Sequence, residues 1–78
     1  MTNNEKYVKV FVDSFNISED QVPNLEYQSV PSWDSIGHMQ LIAALEDIFG
    51  IMMDADDIVD LSSFEKGKEI LKKYNIGF

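Results

Sequence analysis

A chain of 78 residues with no cysteine has to hold its fold on a hydrophobic core alone. At this size such a core supplies only about 3–5 kcal/mol. No disulfide framework and no thiolate metal site is open to it. His38 is the single histidine, so a structural zinc site, a cysteine nucleophile and any two-histidine metal motif are excluded. Hydrophobic residues make up 45% of the chain, which is the share of a globular protein and not of a disordered one. The length sets a single domain over residues 1–78.

Charge narrows the partners. Fourteen Asp and Glu stand against six lysines, for a net charge of −8, and there is no arginine. Lys6 and Lys9 lie near the start, and Lys66, Lys68, Lys72 and Lys73 near the end. Between Val10 and Glu65 no cation interrupts Asp13, Glu19, Asp20, Glu26, Asp34, Glu46, Asp47, Asp54, Asp56, Asp57 and Asp60. Phosphate backbones and anionic membranes repel such a stretch, so nucleic acid and membrane are not expected partners. Basic protein surfaces and divalent cations are, and the charge would steer them. Millimolar calcium or magnesium is expected to raise the melting temperature by relieving self-repulsion. No apolar run approaches the roughly 20 residues of a membrane span. The N-terminus lacks the basic flank and apolar stretch of a signal peptide. A cytoplasmic monomer is expected.

Hydrophobic spacing predicts an all-α fold. Val8, Phe11, Val12 and Phe15, with Tyr7 beside them, place a helix over 4–15, capped by Asn3 or Asn4. Residues 16–34 read as a long loop with Pro23 and Pro31, pinned by Ile17, Val22, Leu25, Tyr27 and Val30. The spacing predicts a second helix over 35–49, with Ser32 or Asp34 as N-cap and Gly50 closing it. Asp54 would cap a short segment to Asp60, with more acids in its first turn. Ser62-Ser63-Phe64-Glu65 reads as a capping box that opens a last helix to about Tyr74. Its inner side would be Phe64, Gly67, Ile70, Leu71 and Tyr74. The result is a small four-helix bundle with a short third helix and a long loop between helices 1 and 2.

The second helix carries two apolar faces. Leu41, Ile42, Leu45, Ile48 and Phe49 form a core stripe. Ile36, Met39 and Ala43 fall on another face, flanked by Gln40, Glu46 and Asp47. Packed under the loop, this strip is ordinary core. Exposed, it is a docking strip, with methionine as an adaptable contact and acids that orient a partner. Ser35 stands where loop becomes helix. A serine there is ordinarily a cap, but a phosphate ester at that place would be favoured by free N–H groups and the helix dipole.

Asp34-Ser35-Ile36, Met39 and the run Leu41-Ile-Ala-Ala-Leu45-Glu46-Asp-Ile-Phe49-Gly50-Ile51 resemble an acyl carrier protein. The match is close from Asp34 to Ile51 and extends, in length and order of elements, over the whole chain. The resemblance implies a carrier of acyl groups as thioesters on a covalent 4'-phosphopantetheine arm. The arm would sit on Ser35, installed from coenzyme A with magnesium by a phosphopantetheinyl transferase. Asp34 would present Ser35 to that enzyme. Ile36, Met39, Gln40, Ala43, Glu46 and Asp47 would face the acyl-transferring or acyl-modifying enzymes with basic docking surfaces. The chain itself would not be an enzyme, and the space between its helices would shelter the acyl group.

The sequence departs from the family pattern at several positions. Ile36 replaces leucine. Gly37 and Gln40 stand where fatty-acid carriers usually show acids. Trp33 precedes the aspartate where a small residue is common, as a core anchor or as part of the docking face. A dedicated carrier for a polyketide, a lipid or an acylated sugar fits as well as a fatty-acid carrier.

Two other readings fail on the residues. Ser35, His38 and Asp34 do not make a triad, because Asp34 at the helix start cannot orient His38. Asp54, Asp56 and Glu65 stand at calcium-loop positions 1, 3 and 12, but Ile58 and Val59 occupy positions that need a ligand and a glycine. The remaining alternative is a small acidic helical interaction module without a prosthetic group, with Ser35 only a cap.

Overall fold

The computed structural model describes every residue from Met1 to Phe78. The chain forms four α-helices: α1 (Asn3–Phe15), α2 (Ser35–Phe49), α3 (Ala55–Asp60) and α4 (Phe64–Lys72). It has no strands beyond one isolated antiparallel bridge, Glu26 to Ser63. The all-α bundle with a short third helix is therefore as expected.

Local chemistry explains most boundaries. Thr2, not Asn3 or Asn4, caps α1. Its Oγ1 accepts from Glu5 N at 3.1 Å, and the Glu5 carboxylate accepts from Thr2 N at 2.9 Å. This reciprocal box satisfies two free donors, which one asparagine amide could not do. The bond from the Thr2 backbone also holds the Glu5 carboxyl below its ordinary range. At α2, Asp34 is the cap and Gly50 ends the helix in the left-handed region at φ 63°. Asp54 is the N-cap of α3 but makes no side-chain cap bond.

Three further expectations are corrected. The 16–34 loop contains a 3-10 helix, Glu19–Asn24, capped by Ser18 with Gln21. Its tight turn tolerates Pro23 because few interior N–H groups are needed in so short a piece. At the start of α4 the cap is Ser63 instead of Ser62, and Ser63 Oγ accepts from Lys66 N at 3.0 Å. Tertiary pairing decides this. Tyr27 N donates to Ser62 O at 2.8 Å and Phe64 N to Leu25 O at 2.9 Å. Those bonds hold Ser63 extended, so the Ser62–Glu65 box does not form. The helix then stops at Lys72, two residues before Tyr74.

One core of 16 buried residues holds the bundle together. Tyr7, Val10, Phe11 and Phe15 are the buried residues of α1, whereas Val8 and Val12 lie at its margin. Trp33 is the loop's core anchor. It is fully buried, stacked on Phe15 at 5.1 Å and edge-on to Phe11 at 5.6 Å. Val22 and Leu25 are buried with it, while Ile17 and Val30 are partly so. Tyr27 is 38% exposed, with its ring edge-on to Trp33 at 6.2 Å at the margin of the core. Beneath α4, Tyr7 donates its hydroxyl to Phe64 O at 2.7 Å. Gly67 lies directly against that hydroxyl, where any side chain would collide with it. Burial pushes the Tyr7 phenol up, so it stays a donor at any ordinary pH.

Candidate functional site

Helix α2 begins at Ser35 because Asp34 supplies the cap. Asp34 Oδ1 accepts from Gly37 N at 2.8 Å, and Asp34 O takes the first helical bond from His38 N at 2.8 Å. The Ser35 hydroxyl is thereby left out of the capping, and Ser35 is exposed. Gly37 is buried in this first turn because the Ser32 carbonyl lies where a Cβ would stand. An acid at 37 would not fit that approach. Ser32 Oγ in turn donates to Phe15 O at 3.0 Å, tying the loop end to α1.

Beside Ser35 runs an apolar groove of about 360 Å³ between α2 and α3. Ser35, His38 and Met39 line it from α2, Ile58 and Val59 from α3, and Tyr27, Leu61 and Ser62 from the flanking loops. No carboxylate or ammonium lines it. The groove is open to solvent, and Ser35 is one of its lining residues.

The second apolar face of α2 is outward. Ile36 is 70% exposed and Met39 55%; Gln40, Ala43 and Asp47 are also exposed. Glu46 departs from this set. Its Oε2 accepts from Met53 N at 2.9 Å, and the residue is half-buried. The left-handed turn at Gly50 folds the chain back under the last turn of α2, which brings the Met53 amide to Glu46. Sequence spacing missed Met52 and Val59, which are 87% and 78% exposed. Met52 follows the helix end, outside any helical period, so no periodic signal could have found it.

His38 is half-buried and shared. Trp33 Nε1 donates to its Nδ1 at 3.0 Å, and its Nε2 lies 2.7 Å from Ile58 O. No carboxylate bonds to the ring.

In the first turn of α3, Asp57 is 8% exposed. Lys73 Nζ and the Tyr74 hydroxyl donate to its two oxygens at 2.7 and 2.6 Å. Asp54 N donates to the same Tyr74 oxygen at 2.9 Å. The Lys73 bond, then the Tyr74 bond, holds the Asp57 carboxyl below the usual carboxylate range. That carboxylate raises both Lys73 and Tyr74. One central acid is thus neutralised by a lysine from the far end of the chain. No group of three or more acidic or histidine side chains is arranged to hold a metal ion. No helix is long and apolar enough to cross a membrane. Comparison with family models, with curated proteins and with solved structures finds no match to this chain.

Proposed function

We propose that the chain is an acyl carrier, with Ser35 as the attachment point of a 4'-phosphopantetheine arm. The observation that carries this reading is the exposed Ser35 hydroxyl, free of the cap, on the lip of an apolar groove. Such a serine needs no base of its own. Its oxygen would bond to the phosphorus next to pantetheine in coenzyme A as the pyrophosphate P–O bond breaks. The adenosine bisphosphate leaves, and the serine proton goes to a base of the transferase. The resulting phosphodiester would lie at the free N–H groups of the first turn of α2, the place a helix offers to an anion. The arm supplies a thiol for thioester chemistry, which explains why a cysteine-free chain could serve.

The groove between α2 and α3 would cover the apolar part of a short acyl group. Ile36, Met39 and Ala43, with Gln40 and Asp47 beside them, would meet a partner enzyme with a basic surface. Asp34 acts on the site by fixing the start of α2. The acyl cargo could belong to a fatty-acid, polyketide or other specialised pathway.

Intact mass after incubation with coenzyme A, magnesium and a broad-specificity phosphopantetheinyl transferase tests the reading. One phosphopantetheinyl group gained by the wild type, and none by Ser35→Ala, is the expected result. No gain, beside a control carrier that is loaded, would favour a dedicated transferase or an acidic helical interaction module in its place.

A further inference from the structure

We infer that His38 is a positioning residue for the turn leading into Ser35, acting through Trp33, and that gaining a proton makes it let go. The tautomer follows from the partners. An indole N–H only donates, so Nδ1, 3.0 Å from Trp33 Nε1, must be an acceptor without a proton. A carbonyl only accepts, so Nε2, 2.7 Å from Ile58 O, must carry the hydrogen. The neutral imidazole satisfies both neighbours at once.

A protonated ring cannot. Its Nδ1–H would face the Trp33 N–H, donor against donor. The bond to Ile58 O survives and strengthens, because the donor is now charged. The loss therefore falls on Trp33. The indole is fully buried, stacked on Phe15 and edge to edge with the near-coplanar His38 ring. An N–H left there without a partner is costly, so opening toward water is the cheaper outcome. Trp33 also closes the preceding turn, through Trp33 N to Val30 O at 3.1 Å and Gln28 N to Trp33 O at 3.0 Å. Asp34 and Ser35 follow it directly. Release of the indole thus loosens the approach to Ser35, while α3 stays fastened to α2.

No other charge competes for the ring. From the loop, Tyr27 faces it edge-on at 5.7 Å. Ile58 and Val59 of α3, Leu61 and Ser62 after it, and Ser35 and Met39 of α2 line the same groove without a charged group. The Asp34 carboxylate is taken by Gly37 N and that of Asp57 by Lys73 and Tyr74. The latch stands on this geometry, and only its bearing on loading rests on the carrier reading.

The test uses the unmodified chain, without coenzyme A or transferase, so the two ideas fail separately. Nuclear magnetic resonance would follow the Trp33 indole N–H, the Ser35 amide and the His38 ring. The pH would run from about 8 to about 5.5, across the range in which imidazoles titrate. As the His38 ring gains its proton, indole N–H exchange with water should rise at least about tenfold. The Ser35 amide should shift in step, and fluorescence of this sole tryptophan should move to the red. His38→Gln, which offers an acceptor and a donor but takes up no proton, should show none of these changes. An indole that stays protected as the ring titrates would overturn the latch. So would a ring that stays neutral down to the lower pH, or the same response in His38→Gln. If that variant does not fold, the correlation within the wild type decides.

Discussion

The Tyr7 hydroxyl occupies the space in which a side chain at residue 67 would stand, and it uses that position to reach the Phe64 carbonyl. Helices α1 and α4 therefore meet through a glycine and a phenol, each requiring the other. Gly67→Ala should cost about 1–3 kcal/mol by overpacking, although alanine is the better helix former. Tyr7→Phe should cost about 0.5–1.5 kcal/mol by removing that hydrogen bond. The double variant should lose less than the sum, since removing the hydroxyl removes the collision. Urea unfolding of the four proteins measures this, and strict additivity would contradict it.

Gly37 makes a sharper prediction of sign. Helix propensity says that alanine gains up to about 1 kcal/mol over glycine. The Ser32 carbonyl says the reverse. Gly37→Ala should lower the urea midpoint and lower the exchange protection of the first turn of α2. A rise in midpoint would mean that the loop end yields freely.

Cap and attachment site separate cleanly at α2. Asp34→Ala should destabilise the chain by about 0.5–2 kcal/mol. Ser35→Ala should change stability by no more than about 0.5 kcal/mol, because the serine takes no part in the cap. Thermal unfolding of both variants, run beside the mass measurement, distinguishes a lost hydroxyl from a lost fold.

Asp57 predicts an acid-side dependence. Its folded-state carboxyl is held low by Lys73 and Tyr74. Its stabilisation is thus present above the unfolded value of about 3.9 and disappears as the pH falls through the folded one. Lys73 and Tyr74 are raised by the same contact, so their contribution holds below about pH 10 and fades as alkali removes their protons. Asp57→Asn should weaken the fold at pH 7 and weaken it less at pH 3, where the unfolded carboxyl is protonated. Urea midpoints at the two values would show whether the gap narrows.

The anionic surface predicts a salt response. A net charge of −8 opposes compaction, and sodium chloride screens it. The melting temperature should rise with salt. Magnesium should give no more than matched ionic strength gives, because no cluster of ligands is arranged for it. A larger magnesium effect at equal ionic strength would point to a specific site.

The parts of this fold legible in the sequence are those that one residue decides locally. Asp34 and Gly50 bound α2 by their own chemistry, and the stripe Leu41, Ile42 and Leu45 is buried as its spacing required. What escaped depends on a neighbour distant in sequence. Ser63 caps α4 only because Leu25 and Tyr27 pair across it. Gly37 reads as a missing acid and Gly67 as one of an inner row until Ser32 and Tyr7 are seen against them. The candidate site divides the same way. Ser35, Ile36 and Met39 are exposed as a helix start and outer face, but His38 gives no hint in sequence that Ile58 would meet its other nitrogen.

The inward turn of Glu46 has a geometric result for any basic partner on this strip. Two fixed charges define a direction along a helix, whereas one defines only a point. Asp47 is exposed and unpaired, so Glu46, still charged and held by Met53 N, is the one fixed acid at the C-terminal end of the outer face. A partner could pivot about it until Ile36 and Met39 find their complement. On such a surface the acid sets where contact begins, and the apolar side chains set the angle at which it ends.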